Sequence, residues 1–174
     1  VATLLGDKLR FAAEVGGWDS PELRRVDLWA AGQWLTCDDN TAFVPQFRSS
    51  VSDTAAWVRS GQGSSPPFAG LPLVATHRRL LAGSGNEVED DELRQQFWLF
   101  HHWGPTTDNL LAFLFRDGTR LVITFQFWRD EHLVKHPEHA GAVFVVEMEA
   151  VEFAATLDDL AAILDRGPGT PLIG

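Results

Sequence analysis

The chain has 174 residues and a mass of 19.3 kDa, which fits a single domain over 1–174. Apolar residues make up 45%, enough for a sizeable core and against global disorder. Lys+Arg is 14 against Asp+Glu 24, a net charge of −10. That balance argues against a nucleic-acid binder, which draws its affinity from Lys and Arg on phosphates.

The charge is uneven. Residues 1–86 carry eight basic and eight acidic residues, whereas 87–174 carry six and sixteen. The acidic half reads either as a surface for a basic partner or as a solubility device. Cys37 is the chain's one cysteine, so no intramolecular disulfide forms and a reducing compartment is expected. No apolar run approaches the roughly 18 residues that cross a membrane. Val1 to Asp7 does not read as a signal peptide, so a cytoplasmic location without membrane association is expected.

In chain order, Lys8 to Val15 alternates as a strand, and Gly16 to Pro21 is turn material. Leu23 to Ala30 reads as a second strand, and Trp34 to Thr36 returns after a turn at Ala31-Gly32-Gln33. Phe47, Val51, Ala55 and Val58 recur at helical spacing, which predicts a helix from Pro45 to Ser60. Residues 61–70, rich in Gly, Ser and Pro, predict an exposed loop. A short helix is expected around Thr76–Leu81. Glu87, Glu89, Asp90, Asp91 and Glu92 repel one another, and an acidic loop is expected over 87–92.

The second half reads as strands at Gln96–Trp103, Leu110–Phe115, Thr119–Phe127 and Ala142–Glu152. Asp117-Gly118 predicts a two-residue hairpin with Leu114 opposite Leu121. Leu114, Leu121 and Ile123 are expected in the core, with Phe113 and Phe115 on a partly wet outer face. Thr156 reads as the cap of a closing helix over Leu157–Arg166. The fold class is α+β, a mainly antiparallel sheet of about six or seven strands with two or three helices.

Catalytic motifs are absent. There is no G-x-S-x-G elbow, no phosphate loop and no H-E-x-x-H. His132, His136 and His139 are spaced to share a helix face, but Pro137 interrupts it, so a solvated loop without metal is expected. His101 and His102, adjacent in a strand, would point to opposite faces, and His77 has no evident partner. The carboxylates beside Cys37 raise its thiol pKa, which marks a semi-buried structural cysteine. Glu147 and Glu149 share a sheet face at a spacing open to a hydrolytic pair, although chance pairs abound in so acidic a chain. Trp18, Trp103 and Trp128 lie near turns or strand ends, and read either as core packing with a rim or as exposed aromatics beside acids that suit protein binding.

Gly6-Asp7-Lys8-Leu9-Arg10-Phe11-Ala12, then Val26-Asp27-Leu28-Trp29 and Ala31-Gly32-Gln33-Trp34-Leu35, resemble the start of the immunity protein 42 family over about the first 45 residues. These bacterial proteins protect a cell from a polymorphic toxin. The resemblance implies toxin neutralisation by binding, without catalysis; separately, no cofactor is expected. Alternatives are a small hydrolase with acidic residues in a cleft, or a structural or adaptor domain. Taken with the charge map, the expected contact residues for a basic protein partner are Glu89, Asp90, Asp91, Glu92, Phe113, Phe115, Glu147 and Glu149.

Overall fold

A glycine sets the first turn. Gly6, at φ +79°, sits where an added Cβ would run into the Phe11 carbonyl. It lets β1 (Thr3–Asp7) turn through Lys8-Leu9-Arg10 into β2 (Phe11–Trp18). The computed structural model describes residues 2–169. β1 was not foreseen, and the predicted first strand starts three residues later than expected. Gly16-Gly17-Trp18 belongs to β2 rather than to a turn, because an irregularity between Val15 and Trp18 lets the strand continue against β3 (Leu23–Ala30). β3 also pairs with β4 (Gln33–Trp34) and β5 (Thr41–Phe43), which completes an antiparallel sheet.

α1 (Val44–Arg59) buries Phe47, Val51, Ala55 and Val58, the stripe expected from their spacing. A stretch without regular elements follows over 61–70. It is tethered to the second sheet, where the Arg116 amide donates to the Ser64 carbonyl at 2.8 Å. α2 (Leu73–Ala82) and α3 (Glu87–Gln95) come next. The acidic run is therefore a helix, not a loop. Asn86 caps it by accepting from the Glu89 amide, and acidic side chains suit the positive end of a helix.

The second sheet has the order β6 (Trp98–Leu99), β7 (Leu110–Asp117), β8 (Arg120–Phe127), β9 (Phe144–Glu149), all antiparallel. Of the predicted strand over Gln96–Trp103 only two residues pair, because Phe100 takes φ +67° and turns the chain. The hairpin register also differs from expectation. Leu114 stands opposite Ile123, and Asp117 opposite Arg120. Gly118, at φ +60°, occupies the first central position of the turn and Thr119 the second, so Asp117 stays in the ladder. A glycine there is the type II′ pattern, not the type I′ read from Asp-Gly. The two-residue shift leaves every side chain on its expected face.

α4 (Asp130–Lys135) and a 3-10 turn at Pro137–His139 link β8 to β9, and α5 (Ala150–Leu164) closes the described chain. α5 begins seven residues earlier than predicted and takes the end of the expected strand. Ala150, Phe153, Ala154, Leu157, Leu160 and Ala161 form its buried face, and Thr156 lies inside the helix, donating to the Glu152 carbonyl at 3.1 Å.

One apolar core joins both sheets to α1 and α5, and includes Phe11, Leu28, Phe47, Leu114, Leu121, Ile123 and Leu157. A second cluster lies on the other face of the β6–β9 sheet. There Leu80 of α2 meets Phe97, Phe113 and Phe115, with Leu93 of α3 at its edge. The face expected to be partly wet is thus covered by α2, with α3 only at its margin. His77 is buried beneath it, its Nδ1 accepting from the Thr124 hydroxyl at 2.7 Å and its Nε2 donating to Gln126 Oε1 at 3.0 Å.

Candidate functional site

The expected contact residues divide into three groups. Phe113 and Phe115 are 0% exposed and cannot meet a partner. Phe113 stacks on Trp98 at 4.5 Å and meets the His77 ring edge-on at 5.1 Å. Burial beneath α2, which no local pattern around Phe113 announces, removes both from the outer surface.

The acidic helix forms the second group. Asp90 accepts from the Ser84 amide and hydroxyl, and these bonds hold its carboxyl below the usual carboxylate range. Asp91 pairs with Arg94, whose guanidinium also donates to the Leu80 and Leu81 carbonyls at the end of α2. Asp90 therefore ties α3 to the loop after α2, and Arg94, paired with Asp91, fastens α3 to α2 itself. Glu87, Glu89 and Glu92 are exposed and have no ion-pair partner among the described residues. They form the negative face that α3 offers to solvent.

Glu147 and Glu149 make the third group. Both lie beside Arg120 of β8, whose guanidinium reaches Glu147 at 3.1 Å and Glu149 at 3.5 Å. Half-exposed pairs of this kind contribute little stability, about 0–1 kcal/mol each. Their carboxylates sit half-exposed at the hairpin end of the sheet, bridged by one cation. A separate cavity of about 370 Å³, lined by Gly6, Asp7, Arg10, Phe11, Glu152 and Phe153, does contain two carboxylates. Arg10 pairs with both, at 3.6 Å from Asp7 and 3.3 Å from Glu152.

Of the three tryptophans singled out in sequence, Trp103 is buried and donates to Thr54 Oγ1, and Trp18 lies against the Arg24 guanidinium. Trp128 is 45% exposed and precedes the exposed acids Asp130 and Glu131. His101 and His102 lie in a turn rather than a strand, with their rings 4.7 Å apart.

The histidines after β8 converge with the loop between β4 and β5. His132 is buried, and its Nδ1 donates to Asp38 Oδ2 at 2.6 Å. Its Nε2 lies 2.8 Å from His139 Nδ1, and Phe127 stacks on both rings. Cys37 Sγ is 3.7 Å from His132 Nδ1. Burial first, then the Asp38 charge, pushes the Cys37 thiol up to about 11, so it is protonated at neutral pH. Burial also acts to raise Asp38, but hydrogen bonds from Asn109 and His132 outweigh it and hold the carboxyl below its ordinary value. The ligand atoms of Cys37, His132 and His136 all lie within 4.8 Å of one another, and so do those of His136, Glu138 and His139. The solvated loop expected here is instead an ordered cluster.

The fold resembles that of a CdiI protein. A crystal structure of CdiI from Burkholderia dolosa AUO158 matches with a TM-score of 0.64 and 11% identity, covering 92% of this chain and 99% of that one. At this identity the likeness is one of fold. No family model and no curated protein matches the sequence. Among the described residues no helix is long and apolar enough to cross a membrane.

The histidine cluster had one local signal, the four-and-three spacing of His132, His136 and His139. Pro137 breaks the helix as its sequence position predicts, but it opens a 3-10 turn that swings His139 back beside His132. Nothing local could have linked Asp38 to His132, which lies 94 positions away.

Proposed function

We propose that this chain is an immunity protein that binds and neutralises a bacterial toxin without catalysis. The observation that carries this reading is the fold shared with CdiI along nearly the whole of both chains. CdiI is an immunity protein of contact-dependent inhibition. The charge map supports a basic partner, since opposite potentials speed encounter and fix orientation. The unpaired carboxylates Glu87, Glu89 and Glu92 supply the negative face. The arginine-bridged pairs at Glu147/Glu149 and Asp7/Glu152 favour a surface role over hydrolysis, because each carboxylate pair already has its counter-charge.

The test is co-expression. The toxic domain encoded beside this chain's gene should arrest growth when expressed alone, and growth should return when this chain is supplied. The two proteins should also co-elute as a stable complex. Growth arrest that persists, with no complex formed, would overturn the reading.

A further inference from the structure

Cys37 and Asp38 come from the loop of the first sheet, and His132, His136 and His139 from the crossover of the second. The two meet at one point. We propose that Cys37, Asp38, His132 and His136 bind one zinc-class divalent cation, which cross-links the two sheets.

The spacing fits such an ion. Zinc takes thiolate at about 2.3 Å and imidazole at about 2.0–2.1 Å, so a tetrahedral S–N edge is roughly 3.6 Å. The Cys37 Sγ to His132 Nδ1 separation is 3.7 Å. Thiolate with imidazole is a donor set that selects zinc and related soft or borderline ions over magnesium or calcium. His136 supplies a third donor within 4.8 Å of the other two. Asp38 Oδ2 is hydrogen-bonded to His132 Nδ1 at 2.6 Å, shorter than the roughly 3.3 Å edge between N and O ligands of one tetrahedral ion, so its carboxylate swings back to take the fourth position once the ion replaces the His132 proton. The side chain of His136 is 42% exposed and opens the path by which an ion enters, whereas that of His132 is 0% exposed and fixes the floor.

The surroundings match what a metal-bound imidazole needs. A ligating histidine donates its other ring N–H to a fixed partner. With the cation on Nδ1 of His132, its Nε2–H donates to His139 Nδ1, at the 2.8 Å separation already present. Phe127 beneath both rings holds them in register. The protons balance. His132 and His139 each change tautomer, the Cys37 thiol releases one proton to solvent, and the thiolate with the Asp38 carboxylate neutralises the dication.

The test uses the full chain, stripped with chelator and titrated with Co²⁺, and needs no toxin. It therefore stands or falls independently of the proposed partner. The expected result is one equivalent bound, a thiolate-to-cobalt charge-transfer band in the near ultraviolet, the intense visible bands of a tetrahedral site, and loss of all three on adding Zn²⁺. Cys37→Ser should lose the charge-transfer band. His136→Ala, a change at a half-exposed side chain that leaves the fold intact, should weaken Co²⁺ binding at least tenfold. Absence of a charge-transfer band in the parent, or the same band and affinity in both variants, would overturn the site and leave a hydrogen-bonded chain only.

Discussion

His132 donates to Asp38 at 2.6 Å, joining a buried ring of α4, which follows the second sheet's β8, to a carboxylate in the β4–β5 loop of the first. Asn109 donates to the same oxygen at 2.8 Å. Hydrogen bonds to a charged group are worth about 1.5–3 kcal/mol. Asp38→Asn should therefore lower stability by about that amount in chelator-treated protein at neutral pH, measured by denaturant unfolding. A loss under about 0.5 kcal/mol would show that the carboxylate does not hold the two sheets together.

His77 sets an acid limit. Burial, with the Arg78 charge adding to it, pushes its pKa down to about 4, against the opposing pull of the Gln126 hydrogen bond. The unfolded chain takes up a proton near pH 6.5, but the folded chain resists until about 4. Stability held by neutral His77 is thus fully present above about 6.5 and is lost as pH falls through that window, by at most about 1.4 kcal/mol per pH unit. His77→Gln should flatten this slope in melts between pH 7 and pH 4. An unchanged slope would show that other groups carry it.

Both faces of the hairpin are core. Leu121→Ala or Ile123→Ala should cost about 2–5 kcal/mol, and Phe113→Ala about 3–5 kcal/mol. The phenylalanine change should act on stability and leave the binding rates of the folded fraction alone. A Phe113→Ala protein of parental stability that bound its partner weakly would return that side chain to the surface.

Charge reversal separates the two roles of α3. Glu87→Lys, Glu89→Lys and Glu92→Lys together should slow association with a basic partner severalfold and reduce its salt dependence, with dissociation little changed. Asp90→Lys should instead lower stability, because it removes the contacts to Ser84. Surface-binding rates at two salt concentrations decide the matter. Rates equal to the parent in the triple variant would make the acidity a solubility feature.

What the sequence makes legible depends on the range over which each contact acts. α1 was legible because Phe47, Val51, Ala55 and Val58 carry the signal within one element. The core side of β8 was legible for the same reason, and a two-residue error in register could not disturb it. The start of α5 was not, because Ala150 stays in phase with Val146 and Met148 and no Gly or Pro separates β9 from the helix, so only packing on α1 and the sheets decides where the strand stops. Phe113 and Phe115 were misplaced because their cover comes from residues about twenty to forty positions earlier. The cluster around His132 depends on a contact between two sheets, for which strand and helix periodicities have no term.

α3 buries none of its nine residues. It is held by the Asn86 cap, the Asp90 contacts to Ser84, and Arg94 reaching two carbonyls of α2, with only the edge of Leu93 on the apolar cluster. Detaching it exposes little hydrocarbon, so its opening free energy lies far below that of the whole molecule. Amides of α3 should exchange with solvent deuterium well before those of α5, and a bound partner should slow them selectively. The negative surface is thus mounted on a part that opens locally while the core stays closed, and a partner docking there would put part of its binding free energy into keeping that helix in place.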